Sequence, residues 1–255
     1  MVHARTIPGQ LRWQWYFVVS AWLLGVVGLG SAWYWWMDEP GLAGTWALGA
    51  ILVGGFVVAT VRLHLRRNHP PNRPERTFST LGPATLITLI RGGCLTVLAG
   101  MVLVSPAGVH WWLPAGLYAG VAGLDWIDGR VARRTNRVTV LGERLDMALD
   151  TAGLLIATIV AIRWYHLPVW YLCMPAARYV YRAGIGLRER RGKPVFPLSD
   201  SRIRRPMAGL QMAFVAIALL PILPKRAIVI GAAIVMIPGL LVFVRDYLAV
   251  TGRIG

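Results

Sequence analysis

The chain has 255 residues, of which 56% are hydrophobic and only 15% are charged, and its formal net charge is +16. This composition excludes an ordinary soluble globule and indicates a membrane protein with several spans. The positive charge does not require nucleic acid as a partner, because basic loops also face anionic lipid headgroups. We therefore expect an integral membrane protein that binds no nucleic acid.

Apolar segments follow one another along the whole chain, and most approach the roughly 20 residues that a transmembrane helix needs. They cover residues 15–37, 41–61, 84–104, 109–128, 141–162, 167–182, 207–223 and 227–243. A polar connector at 62–83 separates the first two from the rest, and a basic connector at 183–206 precedes the seventh. The predicted fold class is therefore all-α, with eight spans.

The placement of basic residues predicts the orientation of these spans. Most of the 27 Lys and Arg lie at the N-terminus, in the even-numbered loops and in the C-terminal tail. Loops enriched in Lys and Arg face the cytoplasm. We therefore expect a multi-pass protein of the cell membrane with both termini in the cytoplasm.

The stretch 121–151 carries five of the eleven acidic residues, and four of them are aspartates, namely Asp125, Asp128, Asp146 and Asp150. The first two end the fourth span, and the last two lie in the first turns of the fifth. Their spacings of three and four residues place each pair on one face of a helix. Two antiparallel helices with a short connector could thus direct four carboxylates into one pocket at the cytoplasmic edge.

Four carboxylates so close together repel one another unless cations neutralise them. Oxygen ligands without Cys or His suit hard cations such as Mg²⁺, Mn²⁺ or Ca²⁺, and two such ions would clamp a diphosphate. The residues Gly129, Ala132 and Gly142 leave room for a bulky ligand, and Arg133 and Arg137 could contact phosphate oxygens. The alternative, in which these aspartates only cap helices or balance arginines, is disfavoured by the paired spacing.

At these residues the sequence resembles the class I CDP-alcohol phosphotransferase family, whose signature is Asp-x2-Asp-Gly-x2-Ala-Arg-x8-Gly-x3-Asp-x3-Asp. The eight fixed positions correspond to Asp125, Asp128, Gly129, Ala132, Arg133, Gly142, Asp146 and Asp150. The resemblance implies a core of six transmembrane helices, equivalent to the last six spans. It thereby divides the chain into a two-span extension, residues 1–79, and a catalytic domain, residues 80–255.

The resemblance also implies a role for each residue of the signature. Asp125, Asp128 and Asp146 would bind two divalent ions, Mg²⁺ or Mn²⁺, and Asp150 would act as general base and also touch a metal. The four small or basic positions would receive the CDP moiety: Gly129, Ala132, Arg133 and Gly142. The implied enzyme synthesises phospholipid by transferring a phosphatidyl group from a CDP-linked donor, expected to be CDP-diacylglycerol, to an alcohol, and CMP leaves. Members of the family often form homodimers.

The segment Pro83-Ala84-Thr85-Leu86-Ile87-Thr88-Leu89-Ile90-Arg91 resembles the first core helix of the family, where Asn often stands at the position of Thr85. Thr85 and Thr88 are therefore candidates for nucleotide contacts. Arg91 is a candidate for phosphate binding, with snorkelling to the lipid headgroups as the alternative.

A second group of arginines could bind an acceptor that carries a phosphate, such as glycerol phosphate or inositol phosphate. The candidates are Arg91, Arg137, Arg178, Arg202, Arg204 and Arg205. The alternative is ordinary positive charge at the cytoplasmic side. The sequence has no clean match to the Gly-Lys-x-Lys-Thr-like segment of some phosphatidylglycerol-phosphate synthases.

Two other functions remain open from the sequence. A UbiA-type prenyltransferase also uses two Asp-rich motifs, and Asp146-x3-Asp150 resembles its second motif. Its first motif usually reads Asn-Asp-x2-Asp with a further Asp, whereas Leu124 precedes Asp125 here and no acidic residue closely follows Asp128. An ion-coupled transporter would more often place its acidic residues at broken helices near the bilayer midplane. Release of CMP rather than pyrophosphate distinguishes the phosphotransferase from the prenyltransferase.

Overall fold

A computed structural model describes residues 7–37, 40–105, 108–197 and 203–253. Within these ranges every regular element is helical, which confirms the predicted all-α class. The α-helices are α1 (Gly9–Met37), α2 (Pro40–His64), α3 (Pro83–Gly100), α4 (Leu113–Arg134), α5 (Val140–Trp164), α6 (Cys173–Arg190), α7 (Arg204–Ala218) and α8 (Lys225–Val250).

Each predicted span overlaps one of these helices. Five of them, α1, α2, α3, α5 and α8, are long and apolar enough to cross a membrane, which fits a multi-pass membrane protein. The helices α4 and α6 carry several charged residues, and the apolar part of α7, Pro206–Ala218, is shorter. The count of eight spans and the cytoplasmic placement of both termini stay predictions.

Two helices continue beyond the ends that hydrophobicity predicts. The basic connector was expected to begin at Ala183, but α6 continues to Arg190, and α4 continues past Asp128 to Arg134. Arg, Ala and Glu are good helix formers in water, so a helix need not stop where its apolar segment stops. Several arginines assigned to loops therefore project from helices.

The chain forms two compact units, Met1–Ile156 and Ala157–Gly255. In the first unit α1 packs on α2, α2 on α3, and α3 on α4. The helices α2 and α3 approach closely because of two glycines. A Cβ atom on Gly49 would lie 2.6 Å from the carbonyl oxygen of Ala99, and the buried ring of Trp46 lies directly against Gly100. Small residues allow such backbone contact between membrane helices.

In the second unit, α6 and α7 each pack on α8. α8 begins after Pro224 and contains Pro238. The ring of Tyr171 lies 5.4 Å from that of Phe214, between centroids. The predicted division into residues 1–79 and 80–255 concerns family domains rather than packing units, and it stays a prediction.

Candidate active site

A tight turn between α4 and α5 joins the two halves of the acidic stretch. Asn136 adopts a positive φ of 52°, its N–H donates to the carbonyl of Arg133 (3.3 Å), and the N–H of Arg137 donates to that of Ala132 (3.1 Å). This is the Schellman pattern, which ends a helix on a left-handed residue, for which Asn is well suited. The chain can therefore reverse direction within a few residues.

Thr139 then starts α5. Its hydroxyl accepts a hydrogen bond from the N–H of Gly142 (3.0 Å), and its carbonyl accepts one from the N–H of Glu143 (3.0 Å). A Thr at this position satisfies a backbone donor that the first turn would otherwise leave unpaired. The sequence prediction did not include Thr139, although a Thr just before an apolar helical run is a recognisable start signal.

The four predicted aspartates meet at the side chain of Arg91, which projects from α3 and is fully buried. Its Nη1 lies 3.0 Å from Asp128 Oδ2 and 2.5 Å from Asp146 Oδ1. Its Nη2 lies 2.9 Å from Asp125 Oδ1 and 2.7 Å from Asp150 Oδ1. The snorkelling alternative for Arg91 is therefore wrong, because the guanidinium turns inward to carboxylates. We call these five residues the carboxylate cluster.

Each terminal nitrogen of Arg91 bridges α4 and α5. Nη1 joins Asp128 of α4 to Asp146 of α5, and Nη2 joins Asp125 to Asp150. The pairing follows from the antiparallel connection, since the last aspartate of α4 lies level with the first of α5. The prediction that two helices bring the four carboxylates together is thus confirmed, but a third helix supplies the residue that joins them.

The donor set fits a divalent cation. Asp125, Asp128 and Asp146 each offer a carboxylate oxygen, and these three oxygens lie within 4.8 Å of one another. Hard oxygen ligands of this kind are those that Mg²⁺ and Mn²⁺ prefer. The side chains of Asp125, Asp146 and Asp150 are 25–39% exposed, whereas that of Asp128 is only 7% exposed. The cluster therefore has one buried wall and one side open to a ligand.

Two predicted threonines of α3 lie near the site, Thr88 beside the cluster and Thr85 beside α5. The hydroxyl of Thr88 is 3.1 Å from Asp128 Oδ2 and 3.0 Å from the carbonyl of Ala84, so its single proton serves one acceptor at a time. A Cβ atom on Gly142 would lie 3.6 Å from the hydroxyl of Thr85 and 3.2 Å from that of Thr139. Gly142 thus keeps a small space beside these hydroxyls.

The remaining signature residues lie on the last turns of α4. Arg133 is exposed, and its Nη1 would lie 3.4 Å from a Cβ on Gly129, so the arginine covers that glycine. Ala132 is half-buried. The predicted contacts of these residues with a nucleotide stay predictions.

Arg137 contacts the connector that precedes α3. Its Nη2 donates to the hydroxyl of Thr80 (3.2 Å), and its guanidinium lies 4.7 Å from the centroid of the Phe78 ring. Asn68, fully buried, holds the same connector by donating to the carbonyls of Phe78 (3.1 Å) and Thr80 (3.0 Å). Sequence reasoning missed Asn68, since no periodic pattern marks a buried Asn within a polar segment.

In the second unit, Arg204 is paired rather than isolated. Its Nε lies 3.2 Å from Asp246 Oδ2, and Arg245 Nη2 lies 2.8 Å from Asp246 Oδ1. We call these three residues the Asp246 cluster; Asp246, absent from the prediction, is the only acidic residue of α8. Arg178 is half-buried on α6. Arg202 lies outside the described residues, as does the side chain of Arg205.

Comparison with known proteins identifies the family of the chain. The model of the family described as CDP-alcohol phosphatidyltransferase matches residues 81–244 of the chain. The chain belongs to this family. Membership of this family disfavours the prenyltransferase and transporter alternatives.

Curated relatives in this phosphatidyltransferase family include CDP-diacylglycerol–glycerol-3-phosphate 3-phosphatidyltransferases of Escherichia coli K12, Escherichia coli O157:H7 and Shigella flexneri serotype 5b. Each is 35% identical to the chain over 109 residues. The match covers 41% of the chain and 57% of each relative, so it spans little more than half of their length. Neither comparison supports the homodimer that the resemblance raised, and we do not propose one.

Proposed function

We propose that the chain transfers a phosphatidyl group from CDP-diacylglycerol to the hydroxyl of an alcohol and releases CMP. The observation that carries this proposal is the convergence of four carboxylates from α4 and α5 on a single point, where one guanidinium touches all of them. Four carboxylates at one point favour the binding of cations. A diphosphate substrate requires such cations, because it would otherwise be repelled by the carboxylates.

In this proposal Asp125, Asp128 and Asp146, with Asp150 at the edge, would hold two divalent ions, Mg²⁺ or Mn²⁺. When bound, such ions neutralise the diphosphate and stabilise the charge that develops on the phosphoryl oxygens. The donor set supports this assignment, because three of the carboxylates offer oxygens within 4.8 Å of one another.

Asp150 is the proposed general base. Its carboxylate would accept the proton of the acceptor hydroxyl while the hydroxyl oxygen forms a bond to the phosphorus on the lipid side of the diphosphate. The bond between that phosphorus and the bridging oxygen breaks, and CMP leaves with the electron pair. Asp150 suits this role because its side chain is 25% exposed, so a substrate hydroxyl can reach it.

The proposed nucleotide site lies along the residues next to the carboxylates. Gly129 and Gly142 would leave space for the cytidine moiety, and Thr85, Thr88 and Ala132 would line it. Arg133 would contact a phosphate oxygen of the donor, since it is exposed above Gly129. Arg137 would support this end of the site by holding the connector that precedes α3. Its predicted direct role is a contact with a phosphate oxygen.

The proposed acceptor is a phosphorylated alcohol, with glycerol 3-phosphate as the first candidate because curated relatives are named for it. Arg178 and Arg204, with Arg202 and Arg205, would bind its phosphate through charge-assisted hydrogen bonds. The active site would face the cytoplasmic side of the cell membrane, because loops rich in Lys and Arg face that side.

Product analysis tests this function directly. The purified full chain is supplied with CDP-diacylglycerol, Mg²⁺ and one acceptor at a time: glycerol 3-phosphate, inositol phosphate, inositol, serine or glycerol. We expect CMP and a single new phospholipid, identified by mass spectrometry, with a phosphorylated acceptor. Transfer only to an unphosphorylated alcohol would contradict the acceptor assignment, and an absence of CMP with every acceptor would count against CDP-diacylglycerol as donor.

A further inference from the structure

Arg91 makes contacts that its predicted role in phosphate binding does not explain. It is the only charged residue of α3, it lies near the middle of an apolar helix, and its side chain is fully buried. Burial of a charge in such a place is unfavourable unless partners compensate it. The partners are the four carboxylates of the cluster, each within 3.0 Å of a terminal nitrogen.

The shape of the guanidinium matches the spacing of the aspartates. Its two terminal nitrogens form a rigid planar fork, and each nitrogen holds one aspartate of α4 and one of α5. The fork therefore cross-links the two helices at two successive levels. A lysine could place a positive charge there, but it could not hold two levels at a fixed separation.

The carboxylates that Arg91 holds are also those that suit a divalent ion. Asp125, Asp128 and Asp146 appear in both sets of contacts. A fixed positive charge within 3 Å of these oxygens repels any further cation and competes for the same lone pairs. The single charge of Arg91 cannot by itself neutralise four carboxylates. The cluster therefore still attracts cations, but less strongly than the four carboxylates would without Arg91.

We propose that Arg91 is a built-in cation of the metal centre: it aligns the four carboxylates across α4 and α5 and lowers their affinity for divalent ions. Arg91 is thus a positioning residue that acts through the carboxylates. This inference rests on the metal dependence of the proposed function. A metal centre weakened in this way would exchange its ions readily, whereas four unopposed carboxylates would hold them tightly.

The test compares Arg91→Met, Arg91→Lys and the control Arg144→Gln in the full chain purified in detergent. Arg144 lies exposed on α5 two residues before Asp146, so its substitution removes the same charge without removing a contact of the cluster. Mn²⁺ is the probe, because its binding can be followed by electron paramagnetic resonance. Thermal unfolding is recorded in EDTA and in saturating Mn²⁺.

We expect Arg91→Met to bind Mn²⁺ at least tenfold more tightly than the unmodified chain. It should unfold at a clearly lower temperature in EDTA, because four carboxylates lose a shared counter-charge, and Mn²⁺ should remove most of this deficit. In Mn²⁺ affinity and in unfolding temperature, Arg91→Lys should lie between Arg91→Met and the unmodified chain. This variant keeps the test decisive if Arg91→Met does not fold. Arg144→Gln should match the unmodified chain in both measurements.

Two results would overturn the role of Arg91 alone. An unchanged Mn²⁺ affinity, with the same thermal deficit in EDTA and in Mn²⁺, would mean that Arg91 only packs the helices. An unchanged Mn²⁺ affinity with a weaker affinity for the CDP-linked donor would return Arg91 to phosphate binding. If the unmodified chain binds no Mn²⁺, the metal-dependent function itself is wrong, and this inference fails with it.

Discussion

The carboxylate cluster of the first unit and the Asp246 cluster of the second use the same ion-pair chemistry in opposite proportions. In the first, four carboxylates surround one buried guanidinium, and in the second, two guanidinium groups flank one buried carboxylate. An excess of carboxylates attracts metal cations, whereas an excess of guanidinium groups attracts phosphate. The excess of carboxylates thus suits the proposed metal centre, and the excess of guanidinium groups suits the proposed acceptor site.

The two clusters also differ in how deeply their arginines are buried. The arginine at the centre of the first is fully buried, while Arg204 and Arg245 are 31% and 43% exposed. Partly exposed arginines can contact a ligand with the part of the guanidinium that faces solvent while Asp246 stays paired. A fully buried arginine has no such part, and separation from its partners leaves an unpaired charge.

Removal of divalent ions should have the largest effect and should affect only the function of the carboxylate cluster. We expect exhaustive chelation to abolish CMP release from CDP-diacylglycerol, and added Mg²⁺ or Mn²⁺ to restore it. Helix content by circular dichroism should stay unchanged, because Arg91 still joins the carboxylates. Turnover that persists undiminished after chelation would refute the assignment of these aspartates as metal ligands.

Substitution of the proposed base should come next in size. Asp150→Asn should reduce turnover by about 10²- to 10⁴-fold, the usual contribution of a positioned base, because an amide cannot accept the proton of the acceptor hydroxyl. Mn²⁺ affinity should change much less, because Asp125, Asp128 and Asp146, whose oxygens lie within 4.8 Å of one another, all remain. Asp128→Asn is the matched comparison and should weaken Mn²⁺ binding strongly. CMP release by Asp150→Asn at the unmodified rate would rule out the role of base.

A substitution on α6 tests the proposed binding of the acceptor phosphate by arginines. Arg178→Gln should raise the KM for a phosphorylated acceptor about tenfold or more, the loss expected for a hydrogen bond to a charged group. The KM for the donor should not change. The control is Arg188→Gln on the same helix, whose Nη2 donates to the carbonyl of Pro194 (3.1 Å). Equal effects of the two substitutions would indicate general charge rather than a phosphate contact.

The smallest effect is expected for Asp246→Asn. The loss of two partly exposed ion pairs should destabilise the protein by about 1 kcal/mol, because solvent screens both arginines. This corresponds to a decrease of about 2–4 °C in the unfolding temperature for a chain of this size. Mn²⁺ affinity should be unchanged. A shift in Mn²⁺ affinity as large as that of Asp128→Asn would show that the two clusters are not functionally separate.

Hydrophobicity and spacing predicted much of the first unit correctly. The all-α class, the helices that carry the acidic stretch and the convergence of Asp125, Asp128, Asp146 and Asp150 all follow from local patterns. Helix ends were predicted less well, as the extension of α6 to Arg190 shows. Hydrophobicity reports where a helix leaves the apolar phase, not where its hydrogen bonds stop.

The partners of individual side chains were beyond the reach of such patterns. Asn68 and Asp246 carry no periodic signal, yet each is buried and holds specific neighbours. A buried polar group is recognised by its contacts, and contacts across helices depend on how the helices pack.

The sequence by itself determined the chemistry of the site: four aspartates at helical spacing, small residues beside them, and the signature of the phosphatidyltransferase family. Only the tertiary structure decided that Arg91, which is 37 residues from Asp128 and 59 from Asp150, joins all four carboxylates. The reason is physical. Helical periodicity fixes which side chains share a face over three or four residues, whereas the packing of α3 on α4 decides what that face meets.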